Sequence, residues 1–388
     1  MKIKKDVLKY FLLIMPFFEP LLFKEVGYER IDDIYSMLKI ISLLYVCFLY
    51  ADRKKYSALM LNVVALEALT FFSTLVNSGD IVRFFGPCVS ILGMVMLTEY
   101  YLPKLKITFY KVNYVILYIQ MIVNLITVIL FPDGMLRTIG GNRVYFLGIG
   151  NRFVFTLIPL IFTAIVYSLK TYNKINKIAI STIILALYST ISQWSVGGTL
   201  GLLLIALSII IFNKFDFIKR ININKFVIVM IILNILVVFV QIQNYFADFI
   251  VNVLKKDITL TGRTIIWENA IELVKKNPLI GFGIQPLSVL TPLYYGVGHT
   301  HNMLLSYLTT VGIIGTCIFF NIYNILSKNT SKMKNLKIKG LFSITIFVIL
   351  FLSIADSLDS GIFFMLYMCI FKHEGVFSDE EKNRNINV

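Results

Sequence analysis

The chain has 388 residues, 57% of them hydrophobic and 15% charged, with a mean hydropathy of +0.79. That excludes a water-soluble globular domain, which could not hide so much apolar surface. The net charge of +15 does not signal nucleic acid, because the basic residues are scattered through short intervals between apolar runs.

Those runs predict an all-α, polytopic integral membrane protein with about twelve transmembrane helices, each near the length a bilayer requires. In chain order they cover approximately 7–23, 34–50, 57–76, 84–102, 112–131, 153–170, 178–194, 197–212, 226–243, 303–325, 341–355 and 361–371. The first reads as a spanning helix and not a cleaved signal peptide. It lacks a small-residue cleavage site and contains Pro16, Glu19 and Pro20. Lys39 and Glu67 fall inside spans, and Glu99 is expected at a cytoplasmic end, facing the interface. Cys47, Cys88, Cys317 and Cys369 all lie in apolar runs without paired spacing, which predicts buried structural thiols and no disulfide framework.

With the N-terminus in the cytoplasm, about 25 of the 37 Lys and Arg residues fall in cytoplasmic intervals. Both termini are then cytoplasmic. Residues 1–388 form one membrane domain, and 244–302 become a large extracytoplasmic loop between spans nine and ten. The outer intervals hold Arg30, Arg83, Arg137, Arg143, Arg152 and Arg263. The positive-inside rule does not explain arginines kept outside. A planar, permanently charged fork that grips phosphate bidentately does, against the alternative of ordinary headgroup contacts.

Within the loop, Trp267, Ala270, Ile271 and Val274 share one helical face and Glu268, Glu272, Lys275 and Lys276 the other. This predicts an amphipathic helix over 264–276, capped by Thr261 or Thr264 and stopped at Asn277-Pro278. Arg263 sits at its start, where a guanidinium and helix N–H groups can converge on an anion; pairing with Glu268 or an outer aspartate is the alternative. Gly281-Phe282-Gly283 reads as a tight turn, since no strand precedes it to make a nucleotide fingerprint. Tyr294 and Tyr295 read as a sugar-stacking platform or as interface-belt residues. His299 and His301 offer a general base or a donor to phosphate. No third ligand is near them in sequence, so no metal is expected. Asp356 and Asp359, at an outer turn, are alternative bases or sugar contacts.

The stretch "TGRTIIWENAIELVKKNPLIGFG…HTHNMLLSYLTTVGIIG", residues 261–315, resembles the signature of the O-antigen ligase/Wzy polymerase superfamily. The matching residues are Gly262, Arg263, Trp267, Pro278, Leu279, Gly281, Gly283, His301, Asn302, Gly312 and Gly315. "NRVYFLGIGN" resembles an earlier outer-loop pattern of the family, through Arg143, Gly148 and Asn151. One departure stands at the junction of spans seven and eight, where many members carry Ser-Arg and this chain has Ser195-Val196; Arg152 or Arg137 is left to supply that charge.

The resemblance implies a GT-C-like membrane glycosyltransferase of the bacterial cytoplasmic membrane. It would take a polyprenyl-pyrophosphate-linked oligosaccharide as donor and need neither metal nor cofactor. It puts Arg263 and Arg143 on the pyrophosphate and makes His301 either the base or a phosphate ligand. Arg152, Trp267, His299 and Tyr294 complete the expected substrate-binding set. A Wzy-type polymerase joining surface polysaccharide repeat units is the leading expectation, with a chain-length regulator and a flippase of the same pathway as partners. The alternatives are a ligase acting on a lipid-core acceptor and a lipid-linked oligosaccharide flippase; the chain shows no internal repeat of the kind transporters carry.

Overall fold

Residues 2–51, 56–138, 141–211, 221–242, 245, 252, 262–357 and 360–386 are described by a computed structural model. They form an all-α structure with one short antiparallel hairpin, β1 (Leu136–Arg137) on β2 (Arg143–Val144). The helices are α1 (Lys2–Ile14), α2 (Leu22–Val26), α3 (Glu29–Ala51), α4 (Ala58–Val76), α5 (Ile81–Leu105), α6 (Ile107–Leu130), α7 (Val154–Tyr172) and α8 (Lys177–Ser192). Then follow α9 (Val196–Ile211), α10 (Ile223–Asn234), α11 (Arg263–Lys276), α12 (Leu287–Leu293), α13 (Met303–Ser331), α14 (Leu336–Leu352) and α15 (Gly361–Ile386). The expected spans from 34 onward each overlap one of these helices, but the first, 7–23, is not one spanning helix: α1 ends at Ile14, a 3-10 turn covers Met15–Phe18, and α2 begins only after Pro20.

Among the described residues, six helical segments are long and apolar enough to cross a membrane. They are Glu29–Ala51, Ala58–Val76, Ile81–Leu105, Ile107–Leu130, Gly150–Tyr172 and Met303–Ser331. Their surfaces show why the sequence is so greasy. Leu44, Phe48, Leu61, Ile129 and Ile184 all point outward from the bundle, a pattern that is stable in a bilayer and not in water. The protein is therefore a multi-pass membrane protein. Gly150–Tyr172 is the exception, 89% buried, so α7 is the inner post against which α6, α8, α14 and α15 pack.

Short polar side chains set the helix starts. Ser57, Asp80, Asn176, Asn302 and Asn335 each accept a backbone N–H from the first turn of the helix that follows. The intramembrane charges are paired. Lys39 Nζ meets Glu19 Oε2 at 2.5 Å, and Lys372 Nζ meets Glu99 Oε1 at 2.6 Å, with Ser57 Oγ donating to Glu99 at 3.1 Å. Glu99 is thus enclosed and does not face the interface. Glu67 is also buried. Cys88 and Cys369 are buried as expected, whereas Cys47 and Cys317 lie on exposed helix faces.

Candidate active site

The stretch Asn277 to Gln285 is built into the helices around it. α13 is broken at Gly312, whose φ of 61° and ψ of −164° are essentially open to glycine alone. A break frees backbone groups that cannot stay unpaired in an apolar setting. The loop satisfies them: Phe282 N donates to Thr309 O and Gly283 N to Thr310 O, both at 2.8 Å, while Ile313 N donates to Pro278 O at 2.8 Å. Gly281 and Gly283 also have positive φ. A Cβ at Gly283 would fall on the backbone of Thr74, and one at Gly312 on the backbone of Leu279. The glycine turn read from the sequence is therefore a backbone joint between a loop and a broken helix. Beyond it, Asp80 N donates to Ile284 O at 2.7 Å, and Arg83 Nη1 donates to Gln285 O at 2.5 Å.

The histidine segment is fixed on its other face. Trp267 Nε1 donates to Thr300 O at 3.1 Å. Asn302 caps α13 through Leu305 N, and its Nδ2 donates to Asn234 Oδ1 at 2.6 Å and Ile354 O at 3.0 Å. Thr300 and Asn302 are buried, so the alternating His299 and His301 rings share the opposite side. The rings pack edge to face with centroids 4.0 Å apart, and His301 is held at a φ of 52°.

Elements distant in sequence close the site. His299, Arg83, Arg152, Tyr294 and Asp356 line one cavity of about 240 Å³. Arg152 Nη2 lies 3.3 Å from His299 Nε2, and Arg152 Nε lies 3.9 Å from Glu25 Oε1. His301 Nδ1 stands 4.0 Å from Asp356 Oδ1, is buried, and has no hydrogen-bond partner. Burial, then the neighbouring His299, Arg263 and Arg152, push His301 down to about 3. Burial and Arg152 also lower His299, while Asp356 opposes that shift. Burial lowers Arg263 from a very high starting value and Asp356 raises it, so its guanidinium stays charged. Three guanidiniums thus surround two neutral imidazoles, with Asp356 and Glu25 as the nearby carboxylates. This arrangement favours an anion.

Residues 178–320 match the family model described as O-antigen ligase. This segment is similar to the O-antigen ligase family. It runs from α8 through α11 and the histidine segment into α13, a little over a third of the chain, and carries the 261–315 signature of the O-antigen ligase/Wzy superfamily, whereas the earlier stretch with Arg143, Gly148 and Asn151 lies before it. No curated protein and no solved structure matches the chain.

Arg83, Arg152 and Asp356 lie outside the O-antigen ligase family segment, yet they complete its cavity. His299 and Tyr294 line it with them, while His301 and Arg263 adjoin it beside His299 and Asp356, and burial raises the Tyr294 phenol to about 12. Trp267 is buried beneath the histidine segment and presents no open ring face. Arg143 and Arg137 do not join the group. Arg143 is half-exposed on the hairpin and pairs with Asp133 at 3.0 Å, and Arg137 donates to Gly141 O at 3.1 Å. Of the two arginines weighed against the Ser195-Val196 departure, Arg152 lines the cavity and Arg137 stays on the hairpin. Thr261 and Asp359 lie outside the described residues. The amphipathic helix forms as expected, with Ile266, Trp267 and Ala270 turned inward, but Gly262 in a left-handed conformation stands at its N-cap and no side chain caps it.

The expectation that no third metal ligand stands near the histidines is corrected. One ligand atom each from His299, His301 and Asp356 lies within 4.8 Å of the others, a set that could hold a divalent ion. The surrounding guanidiniums oppose a dication there.

Proposed function

We infer that this protein is a surface polysaccharide polymerase of the O-antigen ligase family. It joins polyprenyl-pyrophosphate-linked repeat units on the outer leaflet of the bacterial cytoplasmic membrane, without a metal. The observation that carries this reading is a cavity lined by Arg83, Arg152, His299 and Asp356, with His301 packed on His299 and Arg263 close enough to act on both histidines.

The acceptor hydroxyl attacks the anomeric carbon of the donor. A new glycosidic C–O bond forms as the bond from that carbon to the pyrophosphate oxygen breaks. Negative charge grows on the departing phosphate oxygens, where pre-placed guanidiniums help most. His301 is neutral and its Nδ1 carries no hydrogen bond, so it can take the acceptor proton. In the empty site it is a weak base. A bound pyrophosphate offsets the arginine charges that hold it down, so the substrate itself raises the basicity the reaction needs. Asp356, 4.0 Å from His301 Nδ1, stands ready to hold the imidazolium that results.

A deletion strain tests the reading. A polymerase null displays single repeat units at the outer leaflet, a ligase null leaves finished polymer unattached to its lipid core, and a flippase null traps units inside. Either of the last two outcomes would replace this assignment.

A further inference from the structure

A second cavity, of about 120 Å³, lies close to the first. Two helical segments line both. Pro87 lines the upper cavity and Ser90 the lower on α5, and Arg152 and then Thr156 do so at the start of α7; Asp356 lines the upper cavity and Ser360 the lower. Steps of three or four residues along a helix advance only about 5 Å. Two more polar groups close the lower cavity, Gln120 from α6 and the Glu19–Lys39 pair, together with the rings of Phe17 and Phe155.

The character of this space differs from that of the site above. Lys24 and Lys39 are matched by Glu19 and Asp32, so it carries no excess charge to attract an ion. Its hydrogen-bonding capacity is not used up. The Glu19 side chain is only 4% exposed and its carboxyl faces that of Asp32, but the enclosed Ser360 Oγ has no partner. An enclosed hydroxyl left unmet in a polar, aromatic-walled cavity calls for a ligand with hydroxyl groups.

We propose that this lower cavity is a binding subsite for an uncharged sugar unit, adjoining the pyrophosphate site. The proposal rests on the glycosyl-transfer reading above. Ser360 Oγ and Thr156 exchange hydrogen bonds with sugar hydroxyls, and the Phe rings cover an apolar sugar face.

The experiment uses full-length protein in lipid nanodiscs and two probes measured separately. One is the oligosaccharide released by mild acid from the host's own polyprenyl-linked pool, and the other is inorganic pyrophosphate. Ser360→Ala and Thr156→Val are the variants, since both are small and leave the Glu19–Lys39 pair intact. Ser360→Ala removes a hydroxyl that is unpaired in the empty protein, so its melting temperature stays level or rises. Oligosaccharide affinity is expected to fall at least about tenfold in the double variant while pyrophosphate affinity holds. Oligosaccharide affinity within about twofold of wild type in every variant, or no binding to wild type, overturns the subsite. Loss of both probes together places the effect outside the lower cavity and overturns it too. Wild type that binds the oligosaccharide but not pyrophosphate upholds the subsite and sinks the reading of the upper site instead.

Discussion

Arg152 Nη2 and His301 N approach the two ring nitrogens of His299 from opposite sides, each at 3.3 Å. Both are donors, and a neutral imidazole can accept at only one nitrogen. An imidazolium could accept at neither. The ring is thus held in its uncharged form, and Arg152 keeps donors free to turn toward an incoming anion.

This pairing sets Arg152 apart from Arg143, the arginine that the resemblance placed on the pyrophosphate. Arg152→Ala should abolish glycan lengthening, and Arg152→Lys should restore little, because an ammonium cannot reproduce the fork. Arg143→Ala, which breaks only an exposed pair with Asp133, should leave the ladder within about threefold of wild type. Gel ladders from complemented strains, normalised to protein in the membrane, decide it. A normal ladder from Arg152→Ala would remove this residue from the mechanism.

Asp356 should have opposite effects on binding and turnover. Asp356→Asn removes a carboxylate from a site crowded with guanidiniums, so pyrophosphate should bind several-fold more tightly. Turnover should nevertheless fall about tenfold or more, because the His301 imidazolium loses its counter-charge. Weaker pyrophosphate binding with unchanged turnover would contradict both halves.

The His299–His301–Asp356 set makes metal dependence a direct measurement. Lengthening by washed membranes should survive a chelator within about twofold, since guanidiniums supply the positive charge. Activity lost to the chelator and restored by one added divalent ion would recast the three residues as ligands.

The histidines also predict how stability varies with pH. His301 binds no proton in the folded protein until the pH approaches about 3, whereas in the unfolded chain it titrates near its ordinary value of about 6.5. Below that value the unfolded state binds more protons, so stability falls with falling pH, by up to about 1.4 kcal/mol per unit for each such group. The melting temperature of detergent-solubilised protein should drop between pH 7 and pH 5, and His301→Gln should flatten that slope. An unchanged slope in the variant would show that His301 is not held neutral.

Gly312→Ala should cost about 3 kcal/mol or more, because its backbone conformation is nearly exclusive to glycine and Leu279 occupies the Cβ position. Gly296→Ala is the control. Its φ is also positive, but a Cβ there meets nothing within 4 Å, so strain acts alone and the loss should be about 1 kcal/mol. Melting temperatures in detergent distinguish the two, and equal losses would contradict the packing argument.

The helices were legible because their signal is local: apolar length, short polar caps and charged intervals. The amphipathic face of α11 was legible for the same reason. What could not be read was which polar residues meet. Asp356 joins His301 across 55 residues of chain, and Arg83 reaches Gln285 across 202, with no spacing to announce either. The resemblance puts Arg143 ahead of Arg152, yet the fold holds Arg143 on the hairpin with Asp133 and sets Arg152 in the cavity wall. The lower cavity was hidden for a related reason, since Glu19 and Lys39 each look like an isolated lapse in an apolar run until the fold pairs them.

The joint at Gly312 limits how the molecule can open. The strands of hydrogen bonds tying 278–283 to α13 make loop and helix one stiff body that also grips the end of α4. Prising that body apart would strand several peptide groups at once, so it is the part of the rim least able to yield. Under the proposed glycosyl transfer, a lipid-borne donor would enter past flanks that lack such stitching, with Gly281, Gly283 and Gly312 as the fixed jamb beside its path.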